Sequence, residues 1–96
     1  MMVLVTYDVD FSNPTGAKRL RKVAKICENY GIRVQNSVFE MNIDSTQLTE
    51  LKIQINSVID KQLDSVRFYK LGKKYDTKIE TLGCNKNIDC NDTLIL

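Results

Sequence analysis

The 96-residue sequence contains no histidine. Imidazole general-base catalysis is therefore excluded, and with it every Ser-His or Cys-His nucleophile pair. A zinc site would also lack its usual nitrogen ligand, and no pair among Cys27, Cys84 and Cys90 has zinc-ligand spacing. An odd cysteine count argues against a disulfide framework and fits a reduced cytoplasm. Only four glycines occur, none in a phosphate-loop pattern. There is one proline, Pro14, and no low-complexity tract. No stretch approaches the ~20 apolar residues of a membrane span, so no membrane partner is expected. The apolar start breaks at Asp8 and does not read as a signal peptide.

What is present is a chain of single-domain size, small enough for dimerisation to help its stability. The net charge of +2 is unevenly spread. Lys18, Arg19, Arg21, Lys22, Lys25 and Arg33 face one acid, Glu28, between residues 15 and 33. The stretch 34–66 reverses the balance, with five acids against Lys52 and Lys61. Arg67, Lys70, Lys73, Lys74 and Lys78 then outnumber Asp76. Two basic segments around an acidic one fit a polyphosphate partner, although helix surfaces are often basic without one.

The stretch MMVLVTYDV is short, apolar and β-branched, as in a buried strand. Alternation puts Val3, Val5, Tyr7 and Val9 on one face and Leu4, Thr6, Asp8 and Asp10 on the other. A loop follows, in which Asn13 can cap a helix and Pro14 suits its first position. That helix carries Ala17, Leu20, Ala24 and Cys27 on one stripe, widened by Val23, Ile26 and Tyr30. Gly31 ends it by offering a left-handed position. Residues 32–43 are extended in composition, either as two strands around Gln35-Asn36-Ser37 or as one bent strand. Asp44 and Gln47 form a capping box for a second helix running to about Lys61 on Leu48, Leu51, Ile55, Val58 and Ile59. Ser65 to Leu71 reads as a strand ended by Gly72, and Thr77 to Leu82 as a further short one. The apolar Thr93 to Leu96 needs a sheet edge to join. The order predicts an α+β, ferredoxin-like βαββαβ sandwich over 1–82 and a C-terminal extension over 83–96. That fold decides nothing about activity.

With histidine absent, any enzymatic chemistry falls to carboxylates holding a hard divalent cation. Asp8 and Asp10 point the same way from the first strand. Asp8 follows a buried run, so its carboxylate must be paired, coordinated or at the mouth of a cleft. Spacing alone favours an aspartate that closes a strand, and Asp10 reads as a loop residue. Lys18, Arg19, Arg21, Lys22 and Lys25 form a basic helical face able to follow a phosphate backbone, or simply to be solvated. Arg33, Gln35 and Ser37 share a face, and Phe39 shares their parity in an unbroken strand. Phe39 could stack on a base, although an isolated strand phenylalanine is usually core.

Taken together, VLVTYDV, KRLRKVAKICENYG, RVQNSVFE and RFYKLG resemble the second core CRISPR-associated protein family (Cas-two), closest to its type I-C variant. The likeness runs from about Met1 to Leu82. The resemblance implies a ferredoxin-like homodimer in which a C-terminal strand joins the partner's sheet. It implies a nuclease dependent on a divalent metal, Mg²⁺ or Mn²⁺, that hydrolyses single-stranded RNA or double-stranded DNA. It also implies a place beside the CRISPR integrase (Cas-one) in spacer acquisition. The family's strand-end aspartate maps onto Asp8, as catalytic residue and metal ligand. Its helix arginines map onto Arg19 and Arg21, and the arginine and phenylalanine of RVQNSVFE onto Arg33 and Phe39. In such a dimer the two copies of Asp8 would face each other across a two-fold axis and share one metal. Without metal they would repel, so activity is expected to depend on pH and metal. The residues expected at the site are thus Asp8, with Lys18, Arg19, Arg21, Lys22 and Arg33 on nucleic acid and Asp10, Ser37 and Phe39 in support. The competing expectation is a non-catalytic DNA scaffold for the integrase. A small-molecule regulator would need glycine-rich loops, which this chain lacks.

Overall fold

Residues Met2–Asp8 form strand β1, and their alternation sets the layers of the molecule. Val3, Val5 and Tyr7 are buried against two helices, while Leu4, Thr6 and Asp8 lie on the opposite sheet face. The computed structural model describes residues 1–10, 12, 14–72 and 78–83. After β1 come α1 (Gly16–Glu28), β2 (Ile32–Gln35), β3 (Val38–Asn42), α2 (Ser45–Asn56) and β4 (Ser65–Gly72). All pairings are antiparallel and the sheet order is β2-β3-β1-β4. Both helices pack on one side, which is the expected ferredoxin-like sandwich.

The core is a single cluster. Val5 lies across from Phe39 and Phe68, and Val3 from Met41, so β1 packs against both neighbours on the helix side. Val23, Ala24 and Cys27 of α1 and Leu48, Leu51 and Ile55 of α2 close over these side chains. Burial pushes the Cys27 thiol up to about 12, so it packs as an apolar side chain.

The segment 32–43 is two strands. The Asn36-Ser37 turn joins them, and the Ser37 carbonyl accepts from the Tyr7 N–H at 2.8 Å, continuing the β1–β3 ladder. Because the chain reverses there, Arg33 and Phe39 stand directly opposite each other across the hairpin.

Four local expectations are revised. Helix α1 begins at Gly16 behind Thr15, with Pro14 in the preceding turn; Asn13 lies outside the described residues. Ala17 is exposed, because buried Gly16, Val23, Ala24 and Cys27 define the stripe instead. The capping box of α2 forms as read, with the Gln47 N–H donating to Asp44 at 2.7 Å and Gln47 Oε1 accepting from the Asp44 N–H at 3.0 Å. Its helix stops at Asn56, however, because the Ser57 Oγ donates to the Gln54 carbonyl and the Val58 and Ile59 N–H groups both converge on the Ile55 carbonyl. Those bonds tighten the chain into a turn that still delivers Val58 and Ile59 to the core. Finally, residues 78–82 form no strand, and Leu82 is 97% exposed. The extension expected beyond them, 84–96, lies outside the described residues.

Gly31 is needed for a reason other than a left-handed turn. Among the described residues, positive φ occurs at Gly72 and Gly83. At Gly31 a Cβ would stand 2.2 Å from the Glu40 carbonyl oxygen and 2.5 Å from the Met41 Cβ. The chain enters β2 by passing directly against β3. Gly31→Ala must push these backbones apart, at a cost of about 1–3 kcal/mol or more. The expected result is a melting temperature lower by at least ~4 °C in a thermal unfolding scan.

Candidate nucleic-acid and metal site

Asp8 is the last residue of β1, and its cross-strand partner is Ser65, the first of β4. It is exposed, and its carboxylate accepts no hydrogen bond from the described residues. It sits on the sheet face that carries no helix, together with Leu4, Thr6, Ile32, Val38, Arg67 and Tyr69. Ile32 and Tyr69 are among the most exposed large apolar side chains of the molecule, at 39% and 42%. Arg67 pairs with Thr6, one step along the face from Asp8. Its Nη1 donates to the Tyr69 hydroxyl at 3.3 Å. That hydrogen bond, and to a lesser degree the charge of Asp8, favours the protonated guanidinium. The face therefore offers a hard anionic oxygen beside a fixed cation, on a background of apolar side chains.

Asp10 is a loop residue, as read. Its Oδ1 accepts from the Ser12 hydroxyl at 2.6 Å and the Ser12 N–H at 2.9 Å. These two bonds hold its carboxyl below the usual carboxylate range. Both bonds fall on Oδ1. Among the described residues no three histidine, cysteine, aspartate or glutamate side chains gather closely enough to hold a metal ion. Asp8 is an exposed carboxylate of the type magnesium takes, and a magnesium site is usually completed by a second carboxylate, waters or substrate phosphates.

Behind Asp8 lies a residue that sequence reasoning missed. Asp64 is a buried charge with a side chain wholly sealed from solvent. Its Oδ2 accepts from Arg19 Nε at 2.7 Å, the Tyr7 hydroxyl at 2.8 Å and the Asp60 N–H at 3.0 Å. Its Oδ1 accepts from Arg19 Nη2 at 3.2 Å and the Asp10 N–H at 3.4 Å. Burial alone would raise this carboxyl. The Arg19, Asp60, Tyr7 and Asp10 donors outweigh it and hold the group at about 2. The same burial, reinforced by the hydrogen bond to Asp64, pushes Tyr7 up to about 12. One sequence signal was available: Tyr7 shares the buried face of β1, and a buried tyrosine hydroxyl needs an acceptor. Which acid supplies it could not be read from one dimension.

This hub has a consequence for acid stability. The folded Asp64 titrates near 2 and the free side chain near 3.8. Its contribution of roughly 2 kcal/mol is present in full above pH ~4 and is lost as pH falls toward ~2. Urea midpoints should hold steady from pH 7 to about 4.5 and drop between pH 4 and 2. A flat profile across that interval would contradict the assignment.

The basic residues divide. Lys18, Arg21, Lys22 and Lys25 are exposed along α1, on the helix layer. Arg19 is turned inward instead. Its guanidinium is committed to Asp64 and also donates from Nη1 to the Thr15 hydroxyl, leaving the side chain 12% exposed. The phosphate-binding expectation for Arg19 is corrected, since its charge is already matched inside the fold. Arg33 donates from Nε to the Asn36 carbonyl at 2.8 Å and lies over the Phe39 ring, 5.7 Å from its centroid. Phe39 is 0% exposed, so it is core and unavailable to stack on a base. Ser37 belongs to the hairpin turn. The sheet separates Asp8 from the basic face of α1.

Comparison with known proteins identifies the family. The family described as CRISPR associated protein Cas2 matches residues 1–79. A CRISPR-associated endonuclease Cas2 from Halalkalibacterium halodurans is 59% identical over 95 residues, covering 99% of both chains. A CRISPR-associated endoribonuclease Cas2 from Chlorobaculum tepidum is 48% identical over the full length of both. The crystal structure of Streptococcus pyogenes Cas2 at pH 6.5 superimposes with a TM-score of 0.80 at 53% identity, covering 86% of this chain and all of that one. The chain belongs to the Cas2 family of CRISPR-associated proteins.

Proposed function

We propose that this protein is a homodimeric, divalent-metal-dependent nuclease that hydrolyses phosphodiester bonds and takes part in spacer acquisition beside the CRISPR integrase. The observation that carries the reading is the place of Asp8. It ends β1, one of the two inner strands, on a partly apolar sheet face that no described helix covers, with no competing donor among the described residues. The names of the relatives, endonuclease and endoribonuclease, support the reaction class.

The dimer supplies what one chain lacks. Packing two uncovered faces together would bury Leu4, Ile32, Val38 and Tyr69 and bring Asp8 toward Asp8 of the partner subunit. Among the described residues no strand pairs with the outer edge of β4, and an added strand there would give the apolar 93–96 segment a place on the partner. The core at 1–82 and the extension at 83–96 then have separate tasks, one forming the sheet and the other joining two sheets. A magnesium or manganese ion would be held by the two Asp8 carboxylates, and when bound it supplies charge neutralisation and an activated water. Arg67 is placed to take a phosphoryl oxygen beside Asp8. Lys18, Arg21 and Lys22, with Arg33 at the hairpin, contact the backbone of the substrate farther out. No helix among the described residues is long and apolar enough to cross a membrane, and a cytoplasmic site of action belongs to the same proposal.

The test is cleavage of single-stranded RNA and duplex DNA by the wild type and by Asp8→Asn with Mg²⁺ or Mn²⁺. Loss in the variant is expected, and wild-type cleavage by pure variant would sink the catalytic role. A second reading, a DNA-binding scaffold without catalysis, is favoured by the absence, among the described residues, of any three candidate ligands gathered closely enough to hold a metal. Binding separates the two surfaces. Replacing Lys18, Arg21 and Lys22 by glutamine should lower the slope of log affinity against log salt by about one unit per lost phosphate contact. Asp8→Asn should leave that slope unchanged. Under the scaffold reading only the lysine and arginine changes would abolish spacer acquisition.

A further inference from the structure

Asp64 is more than an internal salt-bridge partner, because its donors surround Asp8 in the chain. Tyr7 precedes Asp8 directly and gives its hydroxyl to Asp64 at 2.8 Å. Asp10, two residues on, gives its backbone N–H at 3.4 Å. Ser65, the residue bonded to Asp64, is the cross-strand neighbour of Asp8. From the helix layer, Arg19 reaches the same carboxylate with two nitrogens, at 2.7 and 3.2 Å. The Asp60 N–H closes the set at 3.0 Å and ties in the turn that leads to β4. A strand end normally frays, because its last residue has lost the ladder on one side. Here the backbone on both sides of Asp8 and the strand beside it are fastened to one buried anion.

We infer that Asp64 is a positioning residue for Asp8: with Tyr7 and Arg19 it holds the end of β1 so that the Asp8 carboxylate meets its metal and the scissile phosphate in a fixed place. The inference rests on the nuclease reading of Asp8. Groups that orient a ligand rather than coordinate typically change metal affinity or activity by about 10–100-fold when lost. The effect should fall on kcat and on metal affinity. Substrate affinity is set by the exposed basic face of α1, which Asp64 does not touch, so KM should stay within about twofold of wild type.

The experiment compares Asp64→Asn, Tyr7→Phe and Asp8→Asn with wild type in the full-length protein, well below each melting temperature. Asp64→Asn keeps the side-chain shape and loses the charge. Tyr7→Phe keeps the ring and loses one donor, so it remains informative if Asp64→Asn is poorly folded. Steady-state cleavage gives kcat and KM, and calorimetric titration with Mn²⁺ alone gives metal affinity without turnover. The expected result is a kcat lowered about 10–100-fold in Asp64→Asn and less in Tyr7→Phe, KM unchanged, and weaker Mn²⁺ binding in the same order. Wild-type kcat and Mn²⁺ affinity in both folded variants, with Asp8→Asn inactive, would overturn the inference and leave the nuclease reading standing. Wild-type cleavage by Asp8→Asn would overturn the nuclease reading itself, and the positioning role with it.

Discussion

Asp8→Asn should lose at least ~10²-fold in cleavage rate, more than the loss expected when a group that only orients a ligand is removed. Asparagine preserves the volume and one oxygen, so the sheet is undisturbed. What disappears is the negative charge. Asp8 is exposed and the described residues give it no hydrogen bond to lose, so the folded state should not notice the change. Melting temperatures within about 2 °C of wild type are expected, consistent with the ±0.5 kcal/mol typical of surface substitutions. In the proposed homodimer both carboxylates would be lost at once, because a symmetry that built the site would also double the mutation. Raising Mg²⁺ or Mn²⁺ should recover part of the activity if the defect is weakened metal binding. Salt-dependent binding to duplex DNA should survive, since it depends on Lys18, Arg21 and Lys22. A variant that binds and cannot cut would separate chemistry from recognition in a single protein.

Asp64→Ala should have the largest effect on stability of any single change proposed here. It leaves the Tyr7 hydroxyl, two backbone N–H groups and the Arg19 guanidinium without their shared acceptor. Breaking a buried pair by removing one partner costs about 3–5 kcal/mol, and the lower end applies because Arg19 can turn toward water. A chain of this length has on the order of 5–14 kcal/mol in total. A loss of about 3 kcal/mol should lower the melting temperature by roughly 12–24 °C. The variant should also lose most of the acid limb of the stability profile between pH 4 and 2, keeping only the smaller part that Asp10 contributes through its Ser12 bonds. A variant that is destabilised yet keeps that limb would mean another carboxylate is responsible. Gly31→Ala, by contrast, should destabilise at all pH values alike, since its cost is steric.

The two predictions concern neighbours in space that are far apart in sequence. Asp8 is the proposed ligand because YD followed by RVQNSVFE is a recognisable combination; spacing alone marked it only as a carboxylate closing a β-branched apolar run. Asp64 was not legible. It follows Lys61-Gln62-Leu63 in a polar connection where an aspartate is unremarkable. Its importance comes from 57 residues of separation from Tyr7 and 45 from Arg19 being closed by the fold. Arg19 illustrates the same limit from the other side. In a row of basic residues it looked like its neighbours, and only the pitch of α1 against the sheet turned it inward.

Periodicity and punctuation determined most of the elements by themselves. Period-two alternation set the two faces of β1, the capping box started α2, and helical spacing selected Val23, Ala24, Cys27, Leu48, Leu51 and Ile55 for the core. These are local properties, written within a few residues of where they act. Tertiary structure decided what depends on distant partners. It broke 32–43 into two strands, because the Ser37 carbonyl meets the Tyr7 N–H. It made Gly31 a contact with β3 rather than a left-handed turn. It buried Phe39, and it gathered Tyr7, Arg19, Asp10 and Asp60 on Asp64. A buried charge survives only where several donors converge on it, and convergence is a property of the folded chain.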